Sequence, residues 1–216
     1  MSFDEHLARE VARYQDGLAR LPEQADERQR QLTRVANAAA GAGLSLLMLG
    51  RVDEAAEWLR RAAERYRESY ADAPPESWGR PIGALKARML AADWAGAEED
   101  ARWALGEGAA GVESPIGRYA GALALLVLGR DHEARALADS IRERPDFPRG
   151  VADALATIAA ADPVGYTLAV ESVLDSFETR DEYLEDVPVA DTVLVLQALA
   201  GRRGLGVELS SPLLPA

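Results

Sequence analysis

The sequence predicts an all-α fold in which antiparallel helical hairpins stack in series and a C-terminal helix closes the stack. Three observations predict it. Apolar residues recur at three- and four-residue spacing along nearly the whole chain, and no stretch shows a run of strand alternation. Residues 44–55 (LSLLMLGRVDEA) are written again, with most letters unchanged, at residues 123–134 (LALLVLGRDHEA). A helical hairpin cannot bury its apolar face alone, so a repeated hairpin implies neighbours that share one core.

In the first helix, Phe3, Leu7, Val11, Tyr14, Leu18 and Leu21 form one apolar stripe. Ser2 and Glu5 have the S-x-x-E spacing, in which each side chain satisfies the other's free backbone donor. Pro22 marks the end of this N-terminal element, residues 1–25. The second helix, residues 26–49, carries the run ANAAAGAG at 36–43. Each mid-helix glycine lowers helix propensity by about 1 kcal/mol, so the run predicts that another helix passes close by. Gly50-Arg51 turns the chain into a third helix, residues 52–70, with Ala55, Ala56, Leu59, Ala62, Ala63 and Tyr66 inward and Pro74-Pro75 beyond it. Further pairs follow at 80–91 and 95–105 around Asp93, at 115–128 and 132–142 around Gly129-Arg130, and at 149–160 and 163–177 around Asp162. The hairpins occupy residues 26–178.

A last helix, residues 188–203, is apolar on most faces. Val189, Val193, Leu196, Leu199 and Ala200 make one stripe, widened by Val187, Leu194 and Ala198. Asp186 is expected as its N-cap, with Pro188 in the first turn and Asp191 at the positive helix end. Gly204 stands where a left-handed cap belongs, behind Arg202 and Arg203, which suit the negative end. The tail VELSSPLLPA is extended or returns onto this helix. Residues 179–216 thus form the closing element, and residues 1–216 are expected to form a single helical domain.

Around the turns near Gly50, Ala92, Gly129 and Ala161, the pattern L-x-x-L-G-R-x-x-E-A-x-x-x-L/A-x-x-A resembles the tetratricopeptide repeat. Gly50 or Gly129 opens the turn, Ala55 or Ala134 lets two helices approach, and Leu59 or Ala138 lies below. The resemblance covers residues 34–177 and implies an α-solenoid with a concave face that binds another protein. It departs from the family where Ala39 and Arg118 stand in place of an early aromatic, and the turns are irregularly spaced. A second resemblance lies in residues 177–204 (FETRDEYLEDVPVADTVLVLQALAGRRG) together with SPLLP near the end. The order of features is a Tyr-Leu-Glu-Asp opening, an aspartate-bearing apolar helix, an Arg-Gly ending and a Leu-Pro tail. It resembles the C-terminal part of immunity family forty-nine, the all-helical antidotes of bacterial polymorphic-toxin systems. That resemblance implies tight binding of a toxin domain encoded nearby and brings no catalytic motif.

Composition narrows the chemistry. With 216 residues and 48% hydrophobic content, the chain can bury a core without cross-links. It has no cysteine, which excludes disulfides, thiolate zinc sites, iron–sulfur clusters and thiol catalysis. The net charge of −12, with Lys86 as the one lysine, repels a phosphate backbone and attracts a basic protein. Nucleic acid is therefore not an expected partner. The charged N-terminus MSFDEHLARE has no apolar signal core, and no window reaches the ~20 apolar residues that a bilayer requires. A cytoplasmic location, away from membranes, is the expectation.

GEGAAG at 106–111 spells G-x-G-x-x-G, but it follows a helix where a dinucleotide site needs a strand. A connection capped by Ser114 with Pro115 at the first helical position fits better. His6 and His132 are each expected to be solvent-exposed, neither paired at metal-ligand spacing. No serine has a nucleophile-elbow context. The acid runs at 98–100 and 177–186 are read as solvated helix faces. One alternative makes Glu178, Asp181, Glu182 and Glu185 the ligands of a metal-dependent hydrolase.

Trp58, Trp94 and Trp103 are expected to pack between helices. Trp78, in PPESWGRP, must plug a groove or face a partner, and with Arg80 it has the residue types of an interface anchor. Glu178, Arg180 and Tyr183 lack an obvious structural role and are placed at the mouth between the last hairpin and the closing helix. The partner-binding candidates are therefore Trp78, Arg80, Glu178, Arg180 and Tyr183. No catalytic residue and no cofactor is expected, and the chain is read as a non-enzymatic protein binder. The other binding reading is a peptide-binding scaffold or regulatory adaptor. The closing helix has little polar side to offer, so a monomer and a homodimer both remain open.

Overall fold

The computed structural model describes residues 1–216, and it is all-helical: ten α-helices, two short 3-10 turns and no strand. The helices are α1 (Phe3–Ala19), α2 (Ala25–Met48), α3 (Val52–Tyr70), α4 (Gly79–Leu90), α5 (Trp94–Gly106), α6 (Pro115–Val127), α7 (Asp131–Arg142), α8 (Arg149–Ala159), α9 (Pro163–Glu178) and α10 (Asp191–Gly201). No helix is long and apolar enough to cross a membrane.

The chain forms two compact units. The first comprises Met1–Asp93 with Asp181–Val189 and Ser210–Ala216; the second comprises Trp94–Arg180 with Ala190–Leu209. In the first unit each helix packs on the next, α1 on α2, α2 on α3 and α3 on α4. The small-residue run of α2 makes this possible. A Cβ added at Gly43 would lie 2.6 Å from Leu59 Cγ of α3, too close for any real side chain. In the second unit the same nearest-neighbour packing joins α5 to α9, and α10 lies against α8 and α9.

The four turns share one backbone device. Gly50, Ala92, Gly129 and Ala161 have φ of 70°, 52°, 71° and 52°. At each, the left-handed residue donates its N–H to the carbonyl three back, and the next residue donates to the carbonyl five back. Gly50 N reaches Leu47 O at 3.0 Å and Arg51 N reaches Leu46 O at 2.9 Å; Ala161 N and Asp162 N reach Ile158 O and Thr157 O at 3.1 and 3.0 Å. This pair of bonds satisfies the last orphan carbonyls of a helix. Two of the turns use alanine where the geometry favours glycine, since a left-handed Cβ crowds the following carbonyl. Ala92→Gly and Ala161→Gly are each expected to raise stability by about 0.5–1 kcal/mol, whereas Gly50→Ala and Gly129→Ala lower it by about 1 kcal/mol, as read from urea midpoints.

Several expectations are met locally. Ser2 and Glu5 form the reciprocal capping box, Ser114 caps α6 with Pro115 in its first turn, and Gly204 has φ of 70°. GEGAAG runs from the end of α5 into the turn Ala109–Gly111, with no strand before it. Gln197, which interrupts the most apolar stretch, accepts the Tyr166 hydroxyl at 2.7 Å and donates to Val207 O at 2.5 Å. The first part of the tail is thereby held on α10.

Others are corrected. The buried face of α1 is His6, Glu10, Tyr14 and Gly17, while Leu7, Val11 and Leu18 are only half-buried. The helix is rotated because Glu10 meets a floor made by Gly41 of α2, where a Cβ would lie 3.0 Å from Glu10 Cγ. The closing helix starts at Asp191, not at residue 188. Asp186 cannot cap it, because Asp186 has left-handed backbone (φ 56°) and an N-cap is extended. Arg203 meets the expectation at the end of α10, donating to Leu199 O at 3.1 Å, but the pair also serves α6: Arg202 donates to Val127 O at 3.3 Å and Arg203 to Leu126 O at 2.8 Å, free carbonyls at its C-terminal end. Asp100, expected on a solvated face, is 1% exposed.

Candidate functional site

The first unit encloses an ionic cluster that the sequence did not announce. Glu10 of α1 is fully buried, and a buried carboxylate persists only with close cations or donors. Two arginines one turn apart supply them. Arg9 Nε lies 2.6 Å from Glu10 Oε1, and Arg13 donates to both carboxylate oxygens at 3.1 and 2.9 Å. Arg13 also pairs with Glu185, and Arg9 donates to the Glu185 carbonyl. Asn37 of α2 donates to Glu185 Oε1 at 3.0 Å and accepts from the Tyr66 hydroxyl of α3 at 2.8 Å. Residues from four segments thus converge on two carboxylates.

Glu185 lies in the 3-10 turn Leu184–Asp186, and both Glu185 (φ 54°) and Asp186 (φ 56°) adopt the left-handed conformation. Two consecutive non-glycine residues in that region carry strain, which surrounding contacts must over-determine. The arginine and asparagine contacts to Glu185 are those contacts. His6, expected at the surface, is 5% exposed on the same face of α1, with Nδ1 buried and unpartnered. Burial, with help from Arg9 and the N-terminal amine, holds its imidazole below the ordinary histidine value.

The sequence-predicted residues fall into separate places. Trp78 is 4% exposed, so it plugs its groove and cannot face a partner; its Nε1 is buried without a hydrogen-bond partner. It was legible as an anchor only by type, since a proline-rich connection reads the same whether its indole points in or out. Arg80 donates to the buried Gln29 of α2, and burial pulls its guanidinium below its usual value. Arg180 folds back on its own helix, 3.6 Å over the Phe177 ring and bonded to Ser176 O at 3.2 Å. Glu178 is exposed at the end of α9, and Tyr183 is half-buried in the segment that carries Glu185. Glu178 and Arg180 belong to the second unit, Tyr183 to the first.

The acid run does not assemble into a ligand set. No group of three or more His, Asp or Glu side chains could hold a metal ion, and Glu185 is already engaged by Arg13 and Asn37. Glu178, Asp181, Glu182 and Glu185 therefore form no such ligand group in this structure.

The second unit shows a different surface. On α9, Tyr166, Ala169, Val170, Val173, Leu174 and Phe177 are buried, while Val164 and Leu168 are 71% and 65% exposed. Glu171, Asp175 and Glu178 continue the outward face. Comparison with family models, curated proteins and solved structures gives no match for this chain.

Proposed function

We propose that this chain is a non-enzymatic protein binder built from stacked, tetratricopeptide-like helical hairpins, and that it occludes a basic partner, in the concrete version a toxin domain encoded nearby. The carrying observation is the net charge of −12 on a helical body whose four interhelical turns repeat one hydrogen-bonded closure. Repetition of that turn supports a series of like hairpins, which is a scaffold for binding surfaces. The charge supports the sign of the partner. An acidic surface steers a basic protein to encounter and repels acidic competitors, while a few desolvated contacts set the off-rate. Occlusion needs no reacting group.

The test begins with the adjacent gene. A basic domain encoded there is expressed in cells with and without this chain. The expected result is restored growth and a stoichiometric complex on size exclusion, weakened at least tenfold between 50 and 200 mM salt. Survivor counts that this chain leaves unchanged would overturn the reading.

A further inference from the structure

We infer that the outward face of α9 docks an amphipathic helix of a basic partner, with two apolar positions first and lysines or arginines one to two turns on. The inference rests on the reading of the chain as a receptor for a basic protein and locates the contact. Val164 and Leu168 are four residues apart, hence neighbours on one face of the helix. They are 71% and 65% exposed, although the other side of α9 has a full set of buried residues. The remaining exposed large hydrophobics, Met1, Val52, Ile116 and Leu184, form no such pair.

Beyond the apolar pair the face turns acidic. Glu171, Asp175 and Glu178 follow at four- and three-residue spacing, and the helix PVGYTLAVESVLDSFE contains no lysine, arginine or histidine. Several other helices pair exposed or half-buried acids with arginines of the same helix. Arg20–Asp16, Arg30–Asp26, Arg61–Glu57, Arg102–Glu98, Arg135–Asp139 and Arg149–Asp153 are all ion pairs four residues apart. On α9 the four-residue pair is Glu171 with Asp175, two like charges, an arrangement that weakens a helix. The helix supplies no cation to Glu171 or Asp175, so the charge complement of that pair comes from outside.

A groove beside Leu168 gives the apolar positions a place to go. It has a volume of about 380 Å³, with small residues Gly150, Gly165 and Ala169 along it and Leu168, Ser172 and Thr157 beside them. The two cations near it are offset by two carboxylates: Arg142 lies 2.5 Å from Asp153 and 3.4 Å from Asp139, and Arg149 pairs with Asp153. The net attraction is therefore set by the α9 carboxylates. From Val164 to Glu178 the face runs about 21 Å at 1.5 Å per residue, so the occupant is about four helical turns long.

The probe is a labelled synthetic amphipathic peptide with two leucines four apart, then three lysines on the same face, titrated against the full chain by fluorescence anisotropy. Companion peptides replace the lysines by glutamates or the leucines by serines. Saturable micromolar binding of the lysine peptide is expected. Affinity should fall at least tenfold in Glu171→Lys/Asp175→Lys and in Val164→Ser/Leu168→Ser, with unchanged thermal midpoints because these positions are exposed. The glutamate peptide should bind the charge-reversed variant better than the parent chain. Equal binding of lysine and glutamate peptides, no binding of either, or variants that bind like the parent would overturn the inference. So would a dimer in sedimentation that dissociates in Val164→Ser/Leu168→Ser, since the occupant would then be a second copy. A genetically adjacent partner that binds the Glu171→Lys/Asp175→Lys variant undiminished removes this surface and leaves the receptor reading standing. Peptide binding without any such partner does the reverse.

Discussion

Replacing Arg9 and Arg13 together by methionine lowers stability by about 3–5 kcal/mol, the cost of stranding a buried carboxylate. Glu10 has no exposed surface, whereas the Arg13 side chain is 45% exposed. The charge that cannot escape to water is therefore the anion, and removing the cations is the damaging direction. Adding Glu10→Met to the same variant should recover most of the loss, because an apolar replacement of a whole buried ion cluster is often neutral or stabilising. Urea unfolding of the double and triple variants checks both statements. Additive losses would mean that the three side chains act independently, and the cluster would have no energetic identity.

Trp78→Ala is the second large effect, with an expected loss of about 3–5 kcal/mol for truncating a buried aromatic. The indole is 4% exposed, but its Nε1 has no partner, so part of its burial is unfavourable. Trp78→Phe keeps most of the apolar area and removes that donor, and its loss should stay below about 1.5 kcal/mol. Thermal unfolding distinguishes the two substitutions. An unchanged midpoint in Trp78→Ala would return Trp78 to the surface.

What could be read from the sequence was local. The turns near Gly50, Ala92, Gly129 and Ala161 were legible because each follows an apolar run with an abrupt change of register, and all four have positive φ. The capping box at Ser2 and Glu5 was legible because both partners lie within one helical turn. The buried face of α1 was not. Hydrophobic spacing selects Leu7, Val11 and Leu18, but the helix turns Glu10 inward, where Gly41 leaves room and Arg9 and Arg13 supply charge. The pattern FETRDEYLEDVP failed for a related reason. It reads as a solvated run leading into an N-cap, yet Glu185 is held by Arg13 and Asn37, partners far away in sequence. One signal was available: an arginine on each side of Glu10, at Arg9 and Arg13, is the spacing that can enclose a carboxylate.

The contact between Arg9 and the Glu185 carbonyl spans 176 residues. During translation at roughly 5–20 residues per second, Arg9 emerges about 9–35 s before that acceptor exists. The ribosome-bound chain must keep α1 competent throughout that interval, and the first unit acquires Asp181–Val189 only after α1 to α9 have been made. A stalled or prematurely terminated product would present Arg9 and Arg13 without Glu185, and quality-control proteases would meet a helix that the finished protein keeps fastened.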